Sequence, residues 1–218
     1  MKHFCFPNPL PFPFIILYDP CDSFISDICI VRPMALMDFD KVKGLEVIGQ
    51  DACILGEVLD IRYEDLTWNI QGLKVKTEKA VSKKINVGSG KSMVLIQPGK
   101  YTIGDVVLLP ETIEDFRTRI TVDTNDYKSV ADTIDMKVMS EENVLIGTVD
   151  SIEVDLDSWA VVSFKVKLDK GAYAPLEIKK GLLAKKVSGL NMTDIAEISD
   201  TIKLGLNLFG IKSQVIVD

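Results

Sequence analysis

Residues 56–76, GEVLDIRYEDLTWNIQGLKVK, and residues 147–167, GTVDSIEVDLDSWAVVSFKVK, are two versions of one segment, and their shared pattern decides the fold. Placed 91 positions apart without gaps, the wider windows 44–76 and 135–167 agree at eight of 33 positions. The identities are Val47/Val138, Gly56/Gly147, Val58/Val149, Ile61/Ile152, Trp68/Trp159, Lys74/Lys165, Val75/Val166 and Lys76/Lys167. Conservative pairs such as Leu45/Met136, Ile54/Leu145 and Ile70/Val161 extend the match. The two tryptophans of the chain fall in register. Internal repetition is therefore the first fact about its organisation.

Each copy reads as strands. A glycine, expected at a turn or a close approach, opens a run rich in β-formers. A turn cluster follows, Glu64–Thr67 in one copy and Asp155–Ser158 in the other, and a second run returns from each tryptophan. The apolar face of the hairpin is expected to carry Ile61, Tyr63, Trp68 and Ile70, matched by Ile152, Val154, Trp159 and Val161. Each tryptophan is expected to fill the core of its own copy. A second block, IGDVVL at 103–108, matches ISDTIK at 198–203 with an offset of 95, which places about four extra residues in a loop of the second copy. Residues 93–96 and 106–109 read as short buried strands, and long helical periodicity is absent. Frequent short strands and turns predict an all-β chain of two tandem small barrels, since closure removes exposed edges. The expected division is an extension over 1–38, one barrel over 39–109, a linker over 110–129 and a second barrel over 130–218. Approximate two-fold symmetry between the barrels is expected.

The residues Val42 to Val47, Gly56-Glu-Val58, Trp68 and the closing run Ile103 to Leu108 resemble the PRC-barrel family, a small β-barrel also found in the ribosome-maturation factor RimM. The resemblance covers 39–109 and about 130–204. The second copy departs at Ser199, where the family has glycine, and at Lys203, which interrupts the closing strand. What the resemblance implies is a tandem PRC-barrel protein of the archaeal cell-division type. Such a protein is a non-catalytic adaptor or assembly factor without cofactor, bridging protein partners of the division machinery. An RNA-binding or ribosome-maturation role of the RimM type is the alternative it implies.

Composition narrows the chemistry. The chain has 218 residues, is 47% hydrophobic and carries a net charge of −7, which argues against whole-surface attraction to nucleic acid or anionic membrane. Its charge is uneven: residues 39–109 hold ten basic and nine acidic residues, residues 130–218 ten and fourteen. Three of its four cysteines lie in the first 30 residues, and the pattern fits a reducing cytoplasm. The only histidine is His3, so histidine-based nucleophilic triads within the barrels are excluded. The apolar stretch near the start is broken by Pro11 and Pro13 and is too short to span a membrane.

The remaining motifs are ordinary or weak. GSGKS at 88–92 lacks the first glycine of a phosphate-binding loop, since position 85 is Ile, and a strand is expected to follow; a hairpin tip is the default. Asp155 and Asp157 read as turn chemistry, not as a metal site, and Asp105 and Asp200 as turn caps. No catalytic, cofactor or metal residues are assigned. Candidate partner-binding residues are the repeated lysines Lys74, Lys76, Lys83, Lys84, Lys165, Lys167, Lys179 and Lys180, which would meet an acidic partner or, less readily, RNA. The default for these is a solvated lysine-edged sheet. The apolar C-terminal tail suits strand addition, either to its own barrel or in a homodimer.

Overall fold

The glycine that opens each repeat sits where two strands press together. A Cβ built on Gly56 would lie 2.0 Å from the Lys76 carbonyl oxygen, and one built on Gly147 would lie 2.1 Å from that of Lys167. The structure is a computed structural model and describes residues 36–65, 67–78, 81–82, 85, 93–124, 126–178 and 186–214, with backbone alone over 186–189. These belong to one unit spanning residues 34–218.

The described elements are β1 (Leu36–Asp38), α1 (Phe39–Val42), β2 (Glu46–Ile48), β3 (Ile54–Tyr63), β4 (Ile70–Thr77), β5 (Met93–Ile96), β6 (Thr102–Ile103) and β7 (Val107–Leu108). After these come α2 (Ile113–Phe116), β8 (Ile120–Val122), β9 (Lys128–Ser129), α3 (Val130–Thr133), β10 (Lys137–Met139), β11 (Leu145–Asp155) and β12 (Ala160–Leu168). The chain closes with β13 (Lys186–Asn191), β14 (Ile195–Ile198), β15 (Ile202–Leu204) and α4 (Leu208–Gln214). Described helices are short, and the protein is mostly curled β-sheet.

The strands form two sheets. One runs β6-β7-β2-β3-β4-β5-β8, the other β13-β12-β11-β10-β15-β14. Their registers repeat. Val47 faces Gly56 as Val138 faces Gly147, and Ile61 faces Leu73 as Ile152 faces Phe164. The bulges fall at matched positions too, after Val58 and Val149. The offset of 95 appears in the closing strands, where Val47 lies beside Val107 and Val138 beside Ile202 in parallel pairs. Ser199 N–H donates to the Thr201 carbonyl at 3.0 Å, as Gly104 N–H does to Val106, so serine keeps the turn bond in the second copy. Matched core positions are equally dry: Val47, Val58, Ile61, Leu73 and Val75, with Val138, Val149, Ile152, Phe164 and Val166, are all 0% exposed. Burying each such side chain stabilises by about 1.5–3 kcal/mol.

The leading strands cross over. β1, which precedes the first copy, pairs with β11 of the second, Met37 opposite Val154 and Asp38 opposite Glu153. β9, which precedes the second copy, pairs with β3 of the first, Lys128 opposite Tyr63 and Ser129 opposite Arg62. Residues 110–129, read as a linker, thus hold β8, which pairs with β5, as well as β9. β1 lies within the stretch read as an extension.

Candidate functional site

The two copies meet where the hairpin turns touch. Ile70 N–H donates to the Trp159 carbonyl at 2.7 Å, Val161 N–H donates to the Trp68 carbonyl at 2.9 Å, and Asn69 bridges to Ala160 between them. Both tryptophans adopt left-handed backbone, φ 62° and 55°. That conformation costs a bulky residue about 1–2 kcal/mol, so packing must offset it.

The packing corrects the expectation that each indole fills its own copy. Trp159, 8% exposed, sets its ring edge-on to Tyr101 with centroids 5.4 Å apart, and its Nε1 donates to the Gly99 carbonyl at 2.9 Å. Trp68 is half-buried, stacked on Tyr63 at 5.6 Å and edge-on to Phe164 at 5.7 Å. Each tryptophan therefore reaches into the other copy. The left-handed turn places both carbonyls and both rings at the seam. Burial pushes the Tyr63 and Tyr101 hydroxyls up to about 12.

The repeated lysines divide. Lys74 Nζ lies 2.9 Å from Asp123, whose side chain is 3% exposed and also binds Arg62 at 2.8 Å. Lys165, its counterpart, lies 2.9 Å from both Asp38 and Glu153. The hydrogen bond and charge of Lys165 hold the Asp38 carboxyl below the usual range. Glu153 is lowered by its bond from Ser163 first and by Lys165 second, and Lys165 is raised by Asp38 and then by Glu153. Lys76 and Lys167 are exposed at matched positions. Lys83, Lys84, Lys179, Lys180, the 88–92 loop and the last four residues lie outside the described residues.

Asp155 caps its own turn: it accepts from the Asp157 N–H at 2.9 Å and from the Ser158 hydroxyl at 2.6 Å. Among the described residues, no group of three or more histidine, cysteine, aspartate or glutamate side chains is arranged to hold a metal. No described helix is long and apolar enough to cross a membrane.

The outward surfaces differ where the folds match. In the first copy Ile54 is 37% exposed, and Leu108, 43% exposed, lines an open depression of about 460 Å³ with Ile48, Ala52, Lys100, Thr102 and Leu109 among others. The second copy carries Lys203 where the first has Leu108 and Glu197 where it has Thr102. On the short helices the contrast reverses. Phe209, 81% exposed on α4, replaces Glu114 of α2, and the caps correspond: Thr112 accepts from Asp115 N–H, Asn207 from Gly210 N–H.

The sequence reading missed the polar residues at the crossings, Asp38, Asp60, Asp123, Ser129 and Ser151. No likeness marked them, because Asp38 and Ser129, like Asp60 and Ser151, are 91 apart but differ in kind.

No protein-family model matches the chain, and no curated protein matches it in sequence. Among solved structures it is similar to a 16S ribosomal RNA processing protein, RimM, of Pseudomonas aeruginosa. The two are 13% identical with a TM-score of 0.25, and the match covers 69% of this chain and 96% of that one.

Proposed function

We propose that the chain is a tandem PRC-barrel protein acting as a non-catalytic adaptor, its barrels related by an approximate two-fold axis between Asn69 and Ala160. One observation carries this reading. Two modules with the same strand registers present different side chains at equivalent outward positions, Leu108 against Lys203 and Glu114 against Phe209. Matched cores with unmatched faces suit two different protein partners, held in a fixed relation by the seam. The PRC-barrel resemblance supports partners in the division machinery and a cytoplasmic chain recruited to the division site by one of them. An RNA-binding role draws less support, because Lys74 and Lys165 are engaged within the protein.

The test is affinity purification of the full chain beside Leu108→Glu and Phe209→Glu, with nuclease-treated extract and identification of co-eluting proteins. The adaptor reading expects each variant to lose a different partner. Recovery of ribosomal material alone, or an unchanged set of partners in both variants, contradicts it.

A further inference from the structure

Each long strand receives a crossing segment from the other module. β3 receives Ser129–Thr133, and β11 receives Asp38–Val42. At matched positions the two crossings have exchanged their chemistry. In the first, the receiving strand supplies a carboxylate: Asp60, 6% exposed, accepts from the Ser129 hydroxyl at 2.6 Å and from the Ala131 N–H at 2.9 Å. In the second, the receiving strand supplies the hydroxyl, Ser151, and the crossing segment the carboxylate, Asp38, at 3.4 Å.

Size is exchanged as well. The first receiving strand carries the bulky Tyr63, whose hydroxyl bonds the Thr133 hydroxyl at 3.0 Å, and its crossing helix carries the smaller Val130 and Thr133. The second receiving strand carries the smaller Val154, and its crossing helix carries Phe39 and Val42. All of these residues are buried.

We infer that these exchanged pairs key each crossing segment to one receiving strand. Each edge is then an interaction surface whose partner is the opposite module, in the same chain or in a second copy, and never an identical module. Pairing like with like would set Asp38 against Asp60 where a hydroxyl now sits, two carboxylates in a desolvated site. It would also bring Phe39 and Val42 to the places of the smaller Val130 and of Thr133, on the helix whose Thr133 bonds Tyr63, overpacking that site and removing the bond. The converse pairing would oppose Ser129 to Ser151 and leave space at Val154. The inference is independent of what the outer faces bind.

Exchange variants of the full chain test it by urea unfolding. Asp60→Ser with Ser151→Asp miskeys both receiving strands while keeping composition unchanged. The folding equilibrium is expected to fall at least tenfold. Adding Asp38→Ser and Ser129→Asp rekeys both crossings and is expected to recover most of that loss. A miskeyed chain as stable as the original overturns the inference. So does a four-substitution chain that folds no better than the miskeyed one, including the case where neither folds. If only the rekeyed chain folds, the inference stands.

Discussion

Replacing Gly56 by alanine tests the strand packing most sharply. The new Cβ would meet the Lys76 carbonyl oxygen at 2.0 Å and its carbon at 2.8 Å, against ordinary contact of 3.4–4 Å. The obstacle is backbone in the ladder partner, since Gly56 pairs with Thr77, so no side-chain rotation relieves it. The strands must part by roughly 1 Å or more to restore contact distance. Overpacking of this kind costs about 1–3 kcal/mol, and one or two weakened ladder bonds add about 1 kcal/mol each. Alanine recovers about 0.5–1 kcal/mol of chain entropy. The net expectation is a loss of about 2–4 kcal/mol, or roughly 5–15 °C in Tm for a chain of this size. Gly147→Ala should cost a similar amount, because its Cβ would meet the Lys167 oxygen at 2.1 Å. Gly104→Ala is the control, with nothing within 4 Å of its Cβ and an expected change within about 0.5 kcal/mol. The assay is urea and thermal unfolding by circular dichroism. If Gly56→Ala and Gly147→Ala unfold like Gly104→Ala, the close approach is wrong and with it the register of β3 on β4 and of β11 on β12.

Other outcomes follow from the seam and the ion pairs. Trp159→Ala should lose about 3–5 kcal/mol through the buried ring and its bond to Gly99, measured by chemical denaturation. Asp123→Asn should cost about 3 kcal/mol by removing the buried carboxylate that Arg62 and Lys74 share, with Asp60 remaining 3.4 Å from Arg62, and Lys74→Met on that background should recover part of the loss. For the Asp38–Lys165–Glu153 group the sign is set by the shifts. The carboxyls are lowered from 3.8 and 4.5 and the lysine is raised from 10.5. Its contribution is therefore full between those ordinary values, falls as pH drops through the lowered carboxyl pKa values, and falls again as pH rises past the raised lysine. The stability difference between the parent and Lys165→Met should be flat near neutrality and shrink at acid pH, as read by denaturation at stepped pH. Lys76→Glu with Lys167→Glu should leave protein partners bound by the outer faces unaffected; a loss of salt-dependent RNA binding in a filter assay would instead favour the RNA reading.

Much of this was legible because a duplicated core repeats its volume and its backbone demands. The offset of 91, the paired glycines and the paired tryptophans reported matched strands, and the change to 95 located the loop insertion. The crossings were not legible. β1 and β9 are three and two residues long, and Leu36-Met-Asp shares no residue with Tyr127-Lys-Ser at the same offset. Strands that short have no periodicity of their own, and their partners lie about 115 and 65 residues away, a separation that local pattern cannot encode. The direction of the tryptophans was hidden for a related reason. Hydrophobic alternation placed them on the hairpin's apolar face, whereas the left-handed turn at φ 62° and 55° swings them to the neighbouring module. A count of lysines does not show which of them face a carboxylate. Asp123, from the stretch taken as a linker, and Asp38, from the stretch taken as an extension, turn two of those lysines into internal partners.

Cross-strand backbone contacts in solution, read by nuclear Overhauser effects, decide whether the modules exchange their leading strands. Contacts of Met37 with Val154 and of Lys128 with Tyr63 are expected, together with one between Asn69 and Ala160. Contacts of Met37 with Tyr63 and of Lys128 with Val154, each segment folding back on its own module, would contradict the exchange.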